Sequence, residues 1–327
     1  MIIARAPFRI SFVGGGTDIA EFYRNEPGAV VSTAINKYVY ITVNPNPGIH
    51  PFKFRVAYSV TENVNEIEAI QHPIVKEALR LLDYNKPIEI TNVADFPAKS
   101  GLGSSSTFAV CLLHALHALK GEHVTSEQLA REAHQIEVDI LKRPIGKQDH
   151  YASAYGGLNH IQFMPDETVK INPIICSKKV RSELFDNLMM FFTGITRDAG
   201  SVLKEQVQNT PQRLEILRYM RDMTGKVINI MQDGNDLSEI GRILHDGWIA
   251  KKKLASTISN DIIDSYYEAA RLAGALGGKI LGAGGGGCLL LFVEKENQDN
   301  VRNALKSLTE LEFNFEPEGS KVVYISD

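Results

Sequence analysis

The apolar positions along the chain change their period several times, and each change marks an element. From Ala29 to Val43 the β-branched and aromatic residues are dense (Val30, Val31, Ile35, Tyr38, Val39, Tyr40, Ile41, Val43). Asn36-Lys37 interrupts them, which predicts two strands joined by a turn. A helix follows at about Pro73 to Leu82 and a strand at Ile88 to Thr91. After a Gly/Ser-rich loop, Phe108, Cys111, Leu112, Ala115, Leu116 and Leu119 recur at helical spacing, and Gly121 fits the cap of that helix. Thr125 with Gln128 makes a capping box for the next helix. Its stripe is Leu129, Ala133, Ile136 and Ile140, and Pro144 lies beyond its end. The first half closes near Phe163-Met-Pro165.

The second half opens with a strand at Leu188 to Phe192 and turns helical, with Thr210-Pro211 as N-cap and N1 of a long helix. Two more helices follow. The remainder reads as a strand at Lys279-Ile-Leu, a glycine loop, a strand from Cys288 to Val293, a helix near Asn297 to Leu308 and a last strand from Lys321 to Ile325. Together these predict an α+β chain of two domains, 1–170 and 171–327.

Composition narrows the function. The chain has 327 residues, a length that suits two domains. Lys+Arg 35 against Asp+Glu 39 gives a formal net charge of −4, so no global positive field exists to hold nucleic acid. An anionic small substrate therefore needs a local basic site. Cys111, Cys176 and Cys288 have no CxxC or metal spacing, which suits a reduced, cytoplasmic protein. The N-terminal segment reaches Gly14-Gly15-Gly16 before any long apolar run, so neither a signal peptide nor a membrane span is expected there.

Three glycine clusters carry candidate chemistry. Gly282-Ala-Gly-Gly-Gly-Gly287 formally satisfies GxGxxG, but a strand follows it where a dinucleotide fold needs a helix. It reads as a tight strand-to-strand turn that lets another backbone approach. Pro97-Ala-Lys-Ser-Gly101-Leu-Gly-Ser-Ser-Ser106 immediately precedes a helix whose first-turn amides lack intrahelical partners, a place for phosphate. One serine would serve as a cap, and three with two glycines exceed that need. Arg9-Ile-Ser-Phe-Val-Gly14-Gly-Gly-Thr17-Asp18 brings a cation, a flexible backbone, a hydroxyl and a carboxylate into one stretch.

Two carboxylates stand out beside them. Glu137 lies next to the apolar stripe of its helix and needs a partner, either an ordinary Lys or Arg or a divalent ion shared with a nucleotide. Asp149 opens a short helix, either as a cap paired with Lys147 or as a base or orienting anion for a substrate hydroxyl. In the second case Lys147 neutralises charge on the transferring phosphate. His114 with His117, and His245 with Trp248, read as helix-surface or packing residues.

Ala-Pro-x-Arg with Gly-Gly-Gly-Thr-Asp, then Pro-x-x-x-Gly-Leu-Gly-Ser-Ser, then Gly-Ala-Gly-Gly-Gly-Gly near the end resembles the galactokinase, homoserine kinase, mevalonate kinase and phosphomevalonate kinase (GHMP) superfamily. The sub-pattern Gly146-Lys147-Gln148-Asp149 with Thr193-Gly194-Ile-Thr-Arg197 looks most like its heptose 7-phosphate kinases. The resemblance implies an N-terminal domain of the ribosomal-protein type, a C-terminal ferredoxin-like domain, and an active site between them. By that resemblance Gly101, Leu102, Gly103, Ser104, Ser105 and Ser106 cradle ATP, while Ser105 and Glu137 hold Mg²⁺. Asp149, Arg9 and Lys147 act on the reacting groups. Gly15, Gly16, Thr17, Asp18, Gly284 and Gly285 line the sugar site, and Arg197 meets the 7-phosphate, with Lys251, Lys252 and Arg24 as further cations. Ser106 stands where many members have alanine. The implied reaction is phosphorylation of the anomeric hydroxyl of a sugar phosphate, for nucleotide-activated heptose synthesis. A kinase for an unphosphorylated sugar such as fucose and a non-catalytic sugar or ATP sensor are the alternatives.

Overall fold

The computed structural model describes residues 1–196 and 199–326. Among them, β1 (Ile2–Val13), β2 (Gly28–Pro45), β3 (Phe54–Ala57), β4 (Thr61–Val64), β5 (Ile88–Ala94), β6 (Leu158–Phe163), β7 (Val169–Pro173) and β12 (Lys321–Ile325) make one sheet. A second sheet has β8 (Leu188–Phe192), β9 (Gly277–Ile280), β10 (Cys288–Phe292) and β11 (Thr309–Glu310), in the order β11-β8-β10-β9. The helices of the first half are α1 (Ala20–Tyr23), α2 (Pro73–Leu81), α3 (Ser104–Leu119), α4 (Ser126–His134) and α5 (Gln148–Tyr155). Those of the second are α6 (Lys178–Asp186), α7 (Ala199–Asn209), α8 (Leu214–Asp233), α9 (Ser238–Lys252), α10 (Asp261–Leu272) and α11 (Gln298–Ala304).

The two strands expected between Ala29 and Val43 are one, β2. Its first part pairs β6 and its second part pairs β5, so a single strand serves two neighbours. The change occurs where the register with β1 slips between Pro7–Tyr38 and Arg9–Ala34. There the Asn36 backbone N–H donates to the Asn314 carbonyl, and Asn36 Oδ1 accepts from the Asn314 N–H. Asn36-Lys37 thus marks a bulge, a feature that bends a strand without ending it.

α3 packs its apolar residues on β1 and β2, and Phe108, Ala109, Leu112 and Leu116 are buried. Thr125 caps α4 as expected, accepting from Gln128 N, while the Gln128 side chain donates to Glu132 and leaves the reciprocal half of the box unmade. Beyond His134 the winding widens into a π-helical turn, Gln135–Ile140. That turn rotates Ile140, assigned to the apolar stripe, into solvent and leaves Glu137 fully buried. Such insertions recur at functional sites.

In the second half Thr210-Pro211 begins only a short 3₁₀ turn, Thr210–Gln212, and α8 starts after it. The last strand also departs from the sequence order, since β12 lies at the edge of the first sheet against β1. The glycine run joins β9 to β10 directly, as expected of a strand-to-strand turn.

Candidate active site

β1 brings Arg9 into the interior, where only 2% of the side chain is exposed. Its Nε and Nη2 donate to Asp149 Oδ1 and Oδ2, each at 2.7 Å, and Nη1 donates to the Gly101 carbonyl at 2.7 Å. One guanidinium therefore joins the first strand, the loop before α3 and the start of α5. A two-pronged arginine–carboxylate contact fixes direction as well as distance. Gly103 completes the corner, because a Cβ on it would stand 3.2 Å from the Asp149 carboxylate.

The two glycine loops meet back to back. A Cβ on Gly101 would lie 2.6 Å from the Leu281 carbonyl oxygen, and one on Gly282 would lie 2.8 Å from the Gly101 carbonyl oxygen. Both residues also have positive φ, 83° and 70°. The late run therefore supports the loop before α3. Gly284 packs on Ile258, and the Gly285 N–H donates to the Ile258 carbonyl at 2.7 Å, so these two build the turn where sugar contacts were expected.

The three serines are already partnered. Ser104 Oγ lies 3.3 Å from Ser100 Oγ, Ser105 Oγ donates to Glu137 Oε1 at 2.5 Å, and Ser106 Oγ donates to Glu137 Oε2 at 2.8 Å. Arg143 Nη1 donates to Glu137 Oε1 at 2.5 Å and to Ser105 Oγ at 2.6 Å. His150 Nε2 meets Glu137 Oε2 at 2.9 Å. Burial alone would raise the Glu137 carboxyl. The His150, Ser105 and Arg143 contacts outweigh it and hold the group at about 2. One of the two kinds of partner the sequence allowed, an arginine, reaches it. The oxygen donors of Ser105 and Glu137 also suit a hard divalent cation, which commonly takes one or two carboxylates and completes its shell with phosphate and water.

Asp18 is buried and accepts from the Gly16 N–H at 3.0 Å and the Gln148 N–H at 3.3 Å. Burial, then the nearby Asp149 charge, raises its carboxyl above the usual range. Thr17 turns inward: its hydroxyl donates to the Gly14 and Ala29 carbonyls and accepts from the Ala29 N–H. It closes its own turn and offers no hydroxyl to a sugar.

Lys147 does not join Asp149. Its ammonium donates to the Glu167 carbonyl at 2.9 Å and to Glu167 Oε2 at 2.6 Å, and lies 4.5 Å from the centre of the Tyr23 ring. Its charge is met here by Glu167 rather than by Asp149. Arg24 also pairs with Glu167, and Lys252 with Asp264. Arg197 lies outside the described residues.

Two buried lysines face the reacting corner from the second half. Lys251 donates to the Gly282 carbonyl, and Lys279 donates to the Phe12 carbonyl at 3.2 Å. Burial first, then the Arg9 charge, lowers the Lys251 amine to about 8, although Asp18 and Asp149 pull it back. Lys279 is lowered well below its ordinary value by burial, Lys251 and Arg9. Sequence reasoning missed Lys279, which sits in a strand pattern that reads only as core. Two surface hollows of about 430 and 860 Å³ lie elsewhere, and neither is lined by Arg9, Asp18 or Asp149. Among the described residues, no helix is long and apolar enough to cross a membrane and no three-residue metal cluster occurs.

This corner of loop, arginine and aspartate lies in a two-sheet chain whose residues 73–157 match the GHMP kinase N-terminal domain and 227–310 the GHMP kinase C-terminal domain; the chain belongs to that family. It is 28% identical to the D-glycero-alpha-D-manno-heptose 7-phosphate kinase of Campylobacter jejuni, over 98% of each chain. A crystal structure of a D-glycero-D-manno-heptose 1-phosphate kinase from Bacteriodes thetaiotaomicron superposes with a TM-score of 0.83 at 25% identity, covering 100% of both chains. Lactococcus lactis galactokinase with galactose gives 0.76 at 18% identity, over 98% of this chain and 94% of the other, a likeness of fold.

Proposed function

We propose that the protein transfers the γ-phosphoryl group of ATP to the anomeric hydroxyl of D-glycero-D-manno-heptose 7-phosphate, giving the 1,7-bisphosphate. The observation that carries this reading is the Asp149 carboxylate, gripped by both arms of Arg9 and set against Gly103 where α3 begins. The full-length likeness to heptose kinases supplies the acceptor. Phosphates rest on the Gly101–Ser106 turn, whose backbone N–H groups favour anions. Asp149 orients the sugar O1 and receives its proton. As the O1–Pγ bond forms, the bond from Pγ to the bridging oxygen breaks and ADP leaves with that electron pair. Phosphoryl transfer depends chiefly on such positioning and on charge balance. Arg9 and Lys251 supply positive charge at the corner. Ser105 and Glu137 would hold Mg²⁺, which when bound neutralises phosphate charge.

The two heptose kinases are named for substrates phosphorylated at different carbons, C7 and C1. A kinase acting at C1 needs that hydroxyl free. The test is ADP release from ATP with heptose 7-phosphate, heptose 1-phosphate, free heptose, fucose, galactose and no sugar, with and without Mg²⁺. Turnover confined to the 7-phosphate is expected. Turnover with a neutral sugar or the 1-phosphate instead would replace the acceptor, and ATP binding without any turnover would favour the sensor.

A further inference from the structure

The turn that carries Asp18 is flanked by two carboxamides, each with one buried polar atom that has no hydrogen-bond partner among the described residues. Gln206, on α7, is 3% exposed, and its Nε2 makes no hydrogen bond among the described residues. That nitrogen lies against Gly16, where a Cβ would come within 2.6 Å of it. Gln148, at the start of α5, leaves Oε1 buried and unpartnered, while its Nε2 stands 3.8 Å from the place of a Cβ on Gly15. A buried amide donor or acceptor without a partner is destabilising, so a pair at one turn asks for an explanation beyond packing.

The position of Gln206 is imposed from outside the turn. Its neighbour Glu205 accepts from Ser256 N at 2.7 Å, Ser256 Oγ at 2.8 Å and Thr257 Oγ1 at 2.8 Å, and Asn209 donates to the Leu254 carbonyl at 3.0 Å. The same loop gives its Ile258 carbonyl to Gly285. α7 is therefore tied to the glycine run that supports the phosphate loop, and Gln206 is set from the second half of the chain against a turn of the first. Around Gly15-Gly16 stand the Gln206 amide donor, the carboxamide of Gln148 with its unpartnered Oε1, and the Asp18 carboxylate, which feels the charge of Asp149. Hydroxyl groups satisfy all three, because each both donates and accepts.

We infer that Gln206 and Gln148 form a hydroxyl-recognition subsite for the acceptor, with Gln206 Nε2 donating to one sugar oxygen and Gln148 Oε1 accepting from another. This deepens the kinase reading and rests on it. A polyol completes both amides, and the subsite distinguishes sugars by where their hydroxyls stand. Rejecting an analogue that leaves such groups unpaired is a strong source of selectivity.

The experiment measures equilibrium binding of heptose 7-phosphate, D-mannose and a non-hydrolysable ATP analogue to the wild-type protein and to Gln206→Met and Gln206→Glu. Both variants keep the length of the side chain, and their melting temperatures report folding. The expected result is at least tenfold weaker sugar binding in each variant with nucleotide affinity within twofold of wild type. Unchanged sugar affinity, or an equal loss for sugar and nucleotide, would overturn the subsite. Wild-type binding of mannose but not of heptose 7-phosphate, with the Gln206 effect intact, would remove the heptose acceptor and keep the subsite. Binding of neither sugar by wild type would overturn both.

Discussion

Arg143 stands on Glu137 and Ser105 at once, its Nη1 at 2.5 Å from Oε1 of the first and 2.6 Å from Oγ of the second. These are the two side chains assigned to the divalent ion. A guanidinium and a metal cannot share that point, so if Ser105 and Glu137 hold Mg²⁺ as proposed, Arg143 must move aside. Arg143→Met should lower the Mg²⁺ concentration for half-maximal turnover, by about tenfold if one charge-assisted hydrogen bond is removed from the competition. Titrating activity with Mg²⁺ checks it, and a higher Mg²⁺ requirement would show that Arg143 assists the metal.

Asp149→Asn keeps the shape of the side chain but turns an NH₂ toward the donors of Arg9. The proposed acceptor for the sugar proton and one arm of the bidentate contact are lost together. Turnover should fall about 10²–10⁴-fold with the KM for ATP little changed. Near-normal turnover in a steady-state assay would remove Asp149 from the chemistry.

Lys251 is a buried cation beside Arg9 and Lys279, offset by Asp18 and Asp149. Its folded value of about 8 lies below its ordinary 10.5. Between those pH values the unfolded chain retains a proton that the folded chain has released, so this group makes stability rise with pH across the window. Lys251→Met should raise the melting temperature at pH 7, flatten the rise between pH 8 and 10, and reduce turnover. Thermal melts of both proteins over that range, paired with activity at pH 7, provide the check.

Lys147 should behave as a structural residue. Its ammonium joins α5 to the turn between β6 and β7 through Glu167, a partly exposed carboxylate. Lys147→Met should cost about 1 kcal/mol of stability, discounted for solvent at Glu167, and leave kcat within threefold. A large loss of kcat without loss of stability would return Lys147 to the reaction.

Gly282→Ala places a Cβ against the Gly101 backbone at a position with φ of 70°. Neither backbone can retreat without moving the loop before α3. The substitution should destabilise the protein by more than about 1 kcal/mol and raise the KM for ATP. Measuring both distinguishes a displaced phosphate loop from a passive turn.

Much of this was legible in the chain order of residues. Thr125 caps α4, Gly282 to Gly287 joins two strands, Asp149 lies in the first turn of a short helix, and Glu137 occupies the buried side of its own. Each follows from local rules: a hydroxyl reaches amides three residues on, glycine admits positive φ, and helical period sets which side faces the core. The motif residues also named the family before any contact was seen.

Partner choice was decided only by tertiary structure, because a charge carries no record of which opposite charge will reach it. Lys147 lies two residues from Asp149 yet gives its ammonium to Glu167, while Arg9, 140 residues away in the chain, takes the aspartate. Lys279 and Gln206 have no local signal, and their contacts exist because a strand and a helix of the second half are packed against the first strand and the glycine turn of the first. The sequence determined which groups could do the chemistry; packing of the two halves determined which of them meet.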